Sequence, residues 1–115
     1  MLGKTIAVLA VVAALTAGIA ASAFAATTRI VSVRDDSFSR SSMTIPRNDT
    51  VRWKWRNTGN DHNVRSGRSN PVAFRSQTRS GSYSYAHKFS KTGTYRIVCT
   101  IHPDTMRMTV RVRRG

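Results

Sequence analysis

The sequence predicts an all-β sandwich. Short apolar runs alternate with polar residues at a period of two, and turn-forming residues separate these runs at short intervals. Beyond the first 25 residues no stretch carries a convincing helical period. The pattern yields roughly seven short strands, one small domain and no internal repeat.

Residues 1–25 read as a secretory signal peptide. Lys4 is the charged n-region, Ile6 to Ala21 is the apolar run, and Ala23-Phe24-Ala25 is a small-x-small cleavage site. A transmembrane anchor is the weaker reading, because the run is Ala-rich, is interrupted by Thr16 and Gly18, and is short for a span. The expected product is a secreted or periplasmic domain over residues 26–115, with no stable membrane insertion.

Thr28 to Val33 is the first strand, with Val31 and Val33 on one side and Ile30 out of step. Asp35-Asp36-Ser37 is a turn, and Phe38 is a core anchor just beyond it. Ser39 to Ser42 is loop. Met43-Thr44-Ile45-Pro46 is a short strand whose proline sits at its end, where a missing N–H does least harm. Arg47-Asn48-Asp49 turns into Thr50 to Arg56, the clearest strand. There Val51, Trp53 and Trp55 face one way and Arg52, Lys54 and Arg56 the other, as in a half-buried antiparallel strand. Tryptophans between basic residues can stack nucleic-acid bases, but here the two kinds lie on opposite faces, which favours a core role.

Asn57 to Asp61 reads as a polar turn into His62-Asn63-Val64. Arg65 to Pro71 reads as a long exposed loop, Phe74 as a ring docking back on the core, and Gln77 to Gly81 as a turn. Tyr83, Tyr85 and His87 alternate with Ser84, Ala86 and Lys88 in a strand leading to Phe89. Lys91-Thr92-Gly93 is a tight turn, Thr94 to Cys99 a strand, and Met108, Val110 and Val112 mark the last one.

The charge is lopsided. Nineteen Lys and Arg face five acids, all Asp, for a net +14, and loss of Lys4 with the leader leaves +13. Such a surface attracts anionic partners. The cations are spread along the whole chain and form no single arm, so no specific nucleic acid is expected. The spread favours a generally basic surface with no designated partner; for an electron carrier it would imply a redox partner protein with an acidic docking surface.

Cys99 is the only cysteine, so no intrachain disulfide can form. An unpaired cysteine in an exported chain is either a buried inert thiol or a metal ligand. In Cys99-Thr100-Ile101-His102-Pro103-Asp104-Thr105-Met106, a thiolate, an imidazole and a thioether lie within eight residues. These are soft and borderline donors that suit copper, and a His₂Cys set with a weak axial Met is the blue-copper arrangement. The second His must be His62 or His87. His87 lies inside a predicted strand. His62 lies in a loop, as do His102 and Met106, while Cys99 ends a strand, and sandwich loops cluster at the ends. That favours His62, Cys99, His102 and Met106 as one metal site, with His87 a structural or surface histidine.

Asp61-His62-Asn63-Val64, then Gly93-Thr94-Tyr95, then Cys99 to Met106 resembles the cupredoxins of the plastocyanin/amicyanin type. The resemblance extends over nearly the whole mature chain, through Phe38, Met43-Thr44-Ile45, the strand Asp49 to Trp55, and Phe89. It implies a cupredoxin-like Greek-key β-sandwich of about seven to eight strands. It implies one copper ion cycling between Cu(I) and Cu(II), held by His62, Cys99 and His102, with Met106 as the long axial ligand. It also implies a hydrogen bond from Asn63 to the backbone near Thr100, an electron route through His102 near the surface, and an apolar docking spot at Pro103. Three residues separate His102 from Met106, where similar proteins commonly have two or four. Met108 is the rival, and its strand alternation assigns it to the core.

The expected function is an exported type 1 (blue) copper protein, a monomer that carries single electrons between redox partner proteins. The alternative is a copper-binding protein that delivers or buffers the metal without electron transfer. A metal-free sandwich binding polyanions would leave the spacing of Cys99, His102 and Met106 unexplained. No enzyme is expected. The chain has no Glu, no Ser-His-Asp constellation compatible with the strands and no phosphate-binding glycine loop, and four copper ligands would leave no open position.

Overall fold

A strand that is apolar on one side only is stable when that side meets another apolar layer. In the computed structural model, which describes residues 25–115, the layers are two four-stranded sheets. The expected signal peptide lies outside the described residues, apart from Ala25. The first sheet runs β2 (Ser37–Phe38), β1 (Thr28–Arg34), β4 (Thr50–Trp55), β8 (Ser84–Lys88). The second runs β3 (Ser42–Pro46), β10 (Arg107–Arg113), β9 (Gly93–Val98), β6 (Arg65–Ser66). A separate pair joins β5 (Thr58–His62) to β7 (Arg79–Gly81). The described residues are all-β, and among them no helix is long and apolar enough to cross a membrane.

The alternation of β4 is borne out. Val51, Trp53 and Trp55 are buried and Arg52 and Lys54 exposed. Its pairing is not purely antiparallel, however. β4 runs antiparallel to β8 but parallel to β1, with Thr28 opposite Thr50 and Val33 opposite Trp55. The cause is the crossover: β3 belongs to the other sheet, so the chain leaves after β2 and returns in its original direction. β3 and β10 pair in parallel for a similar reason.

Val31, Val33, Val51, Trp53 and Trp55 of one sheet pack with Ile45, Tyr95, Ile97, Met108, Val110 and Val112 of the other. A ring such as Trp53 that removes roughly 150–250 Å² from water contributes about 4–6 kcal/mol before its entropy cost. The indole N–H of Trp53 donates to Met108 Sδ at 3.4 Å, and that of Trp55 to the carbonyl of Arg79 at 2.8 Å. Both tryptophans are therefore core residues with satisfied donors. Phe74 docks on the core as expected. Its ring stacks on His87 with centroids 4.0 Å apart and meets Phe89 edge-on. His87 is thus structural, and burial pushes its imidazole pKa down.

Three expected loops contain short strands. Asn57 to Asp61 overlaps β5, Arg65 to Pro71 begins with β6, and Gln77 to Gly81 contains β7. These segments are polar and two to five residues long, so they carry no apolar alternation to read. Distant partners define them instead: Arg65 pairs with Val98, and the buried Ser66 hydroxyl accepts the Phe74 N–H at 2.8 Å.

Candidate metal centre

The alternation that buries Tyr95 and Ile97 along β9 continues one step past the strand to Cys99, which is fully buried. The chain then folds back on itself. His102 N–H donates to the Cys99 carbonyl at 3.2 Å, Met106 N–H to the His102 carbonyl at 2.9 Å, and Cys99 N–H to the Met106 carbonyl at 3.0 Å. These bonds fasten the backbones of Cys99 and Met106 together with His102 between them. Met106 is fully buried, and the His102 side chain is 24% exposed.

His62 ends a strand and does not sit in a loop as the sequence suggested. β5 pairs Thr58 with Gly81 and His62 with Arg79, a register shift that bulges the residues between. Thr58 and His62 point inward and Gly59-Asn60-Asp61 outward. A bulge re-aims side chains and frees ladder amides. Here Asp35 takes them up: its carboxylate accepts the Gly59 N–H at 2.9 Å and the Asn60 N–H at 3.0 Å, and lies 3.0 Å from His62 Nε2. The Gly59 amide, followed by the His62 contact, holds the Asp35 carboxyl down at about 2.

His62, Cys99 and His102 converge. Their ligand atoms all lie within 4.8 Å of one another. Cys99 Sγ is 3.8 Å from His102 Nδ1, and the two imidazole centroids are 4.9 Å apart. The Nε2 atom of His102 lies 3.0 Å from Asp36 Oδ1. Each imidazole is thus engaged through Nε2 by one of two consecutive carboxylates. When Nε2–H donates, Nδ1 carries the free lone pair. His62 Nδ1 is the one buried side-chain N or O atom without a hydrogen-bond partner among the described residues. Leaving such an atom unsatisfied costs about 1–3 kcal/mol, and a metal ion would supply the missing partner.

Asn63 occupies its expected role and more. Its Oδ1 accepts the Thr100 N–H at 2.9 Å, its Nδ2 donates to the hydroxyls of Thr100 at 2.8 Å and Thr78 at 2.9 Å, and its own N–H donates to Cys99 Sγ at 3.4 Å. The side chain ties the His62 segment to the Cys99 loop, and the backbone amide fixes the position of the cysteine sulfur. Sequence reasoning missed Asp35 and Asp36. Two aspartates at a strand end read as turn chemistry, and nothing local shows that they reach residues far along the chain.

Two nitrogens and one buried sulfur, with no carboxylate among the donors, fit copper and not a hard cation such as magnesium or calcium. The family model for the cupredoxin-like domain matches residues 5–112. The chain belongs to the cupredoxin family. Its fold is the cupredoxin Greek-key sandwich, and its histidine–cysteine–histidine group is arranged as a copper site, as in blue copper electron carriers in general. Among solved structures, this cupredoxin is similar to an oxidized amicyanin variant (26% identity, TM-score 0.64, over 74% of this chain and 81% of amicyanin). It is also similar to a Cu(I) amicyanin variant (26% identity, TM-score 0.65, over 75% of this chain and 82% of amicyanin). A copper-containing nitrite reductase (NirK) from Thermus scotoductus SA-01 shares the fold at 23% identity and a TM-score of 0.70. The match covers 84% of this chain and 25% of the reductase. Comparison with curated proteins gave no significant match.

Proposed function

We propose that this cupredoxin is an exported one-electron carrier. One type 1 copper would be held by His62, Cys99 and His102, with Met106 as the axial ligand. The observation that carries the reading is the pair of imidazoles engaged at Nε2, with the orphaned His62 Nδ1 beside Cys99 and His102. Bound copper supplies the Cu(I)/Cu(II) couple. The protein's part is to keep the donors in place, through β9, the bulge of β5 and the Asn63 tether, so that little rearranges when the charge changes. Met106 is favoured over Met108 because the sulfur of Met108 already accepts the Trp53 N–H. Its full burial and its backbone bonds to Cys99 and His102 support Met106 as the fourth ligand.

Titration of the purified protein with Cu(II) tests the reading. The expected result is uptake of one ion, an intense blue colour, and reversible one-electron cycling with the copper retained. A colourless stoichiometric complex would overturn it. Passage of the copper itself to an acceptor protein would support the delivery reading instead.

The electron route we propose leaves through the partly exposed His102, beside exposed Ile101 and Pro103, an apolar spot for close contact. The partner is a protein with an acidic docking surface. Arg65, Val98 and Arg107 lie in one row across β6, β9 and β10, next to the ligand loop. Both arginines are exposed, and neither forms an ion pair among the described residues. Association with such a partner should slow as ionic strength rises. The double variant Arg65→Glu, Arg107→Glu should cut the low-salt on-rate about tenfold. Stopped-flow rates that ignored both salt and charge reversal would exclude an acidic partner.

A further inference from the structure

The two-residue turn between β1 and β2 brings a carboxylate to each imidazole. Asp35 braces the buried His62 and its bulge. Asp36 reaches the other ring, the one nearer the surface. Its Oδ1 lies 3.0 Å from His102 Nε2, and its side chain is 53% exposed. The backbone at Asp36 has φ = 63°, the left-handed region where glycine is the least costly residue and aspartate is tolerated. A turn of this shape needs no carboxylate for its own sake. The β1–β2 hairpin is secured independently, by the pairs Val33–Phe38 and Arg34–Ser37 and by Ser39 N–H bonding to the Ser32 carbonyl at 2.9 Å. Asp36 therefore does something for His102 that the hairpin does not require.

We propose that Asp36 is a positioning residue of the copper site: it accepts the Nε2–H of His102, fixes the tautomer with a free Nδ1, and sets a negative charge behind that ligand. This rests on the blue-copper reading, and its chemistry is specific. A carboxylate behind a ligating imidazole makes the imidazole a stronger donor, and the added negative charge favours Cu(II) over Cu(I). The aspartate also covers the outward nitrogen of the ring nearer the surface. A partner docking at His102 therefore meets a carboxylate there, although the domain without its leader carries +13.

Three variants separate the parts of the proposal. Asp36→Asn keeps an acceptor oxygen and removes the charge. Asp36→Gly removes both and suits the left-handed backbone, so the hairpin survives. Asp104→Asn removes an exposed charge two residues from His102 that has no bond to the ring among the described residues.

The first measurement is made on metal-free protein. Imidazole ¹⁵N shifts should show His102 protonated at Nε2 in the wild type and in Asp36→Asn, and as a mixture of tautomers in Asp36→Gly. The second is voltammetry of the copper-loaded proteins. Both Asp36 variants should raise the Cu(I)-to-Cu(II) affinity ratio about tenfold, equal to about +59 mV for one electron, and Asp104→Asn should change it less than threefold. An unchanged tautomer in Asp36→Gly, or a shift in Asp36→Asn no larger than that of Asp104→Asn, overturns the proposal. Failure of the wild type to form a blue complex would defeat the copper reading instead, and the tautomer measurement would still decide the role of Asp36.

Discussion

Cys99→Ser is expected to abolish the intense visible band of the copper protein and to weaken Cu(II) binding by roughly a hundred- to a thousand-fold. The size follows from dividing the ~10–16 kcal/mol typical of a four-ligand structural metal site among its ligands, about 2.5–4 kcal/mol each. A serine hydroxyl is a harder and far less acidic donor than a cysteine sulfur, so it is a poor substitute ligand for copper. The metal-free fold should change little. Cys99 is fully buried, serine is close to it in size, and the Asn63 N–H can donate to the new hydroxyl. Competition titration with a chelator gives the affinity, and urea denaturation of the apoprotein gives the stability. A blue Cys99→Ser complex, or one of wild-type affinity, would remove Cys99 from the ligand set.

Asn63→Ala is expected to damage fold and site together. The substitution deletes three side-chain hydrogen bonds, two to Thr100 and one to Thr78, at a position only 8% exposed. At about 0.5–1.5 kcal/mol per bond the apoprotein should lose about 2–4 kcal/mol. Copper affinity should fall about 10–100-fold, the usual consequence of losing a residue that orients ligands. The bond from the Asn63 backbone to Cys99 Sγ survives the substitution, so the blue colour should persist at saturating copper. That outcome separates Asn63 from the ligands. Unchanged apoprotein stability would mean that the two segments are held together by something other than this side chain.

The sandwich was legible because each long strand contains its own instructions. Val51, Trp53 and Trp55, and Met108, Val110 and Val112, declare both strand and inward face by alternation alone. The cluster of His62, Cys99 and His102 was legible because its residue types are rare in this chain: one cysteine and three histidines leave few combinations. What stayed hidden is set between distant segments. The strand character of Thr58 to His62 depends on Arg79–Gly81, and the bulge that turns His62 inward depends on Asp35. The parallel pairing of β1 with β4 follows from a crossover that no window of sequence contains. Asp35 and Asp36 are turn residues by every local rule, and their roles exist only once β1 lies beside the site.

The parallel pairings also order events in time. β3 cannot find its neighbour until the last strand exists, since Ser42 pairs with Thr109, and β1 must wait for β4. Such closures lose chain entropy before any contact compensates them, and folds built this way form in milliseconds to seconds, not microseconds. The cysteine loop lies between β9 and β10, and His62 depends on a turn near the other end of the chain, so the donors meet late in that sequence. Metal added to an unfolded chain would find a lone thiol and scattered imidazoles. Productive loading belongs after folding, to a chain whose donors are already in place.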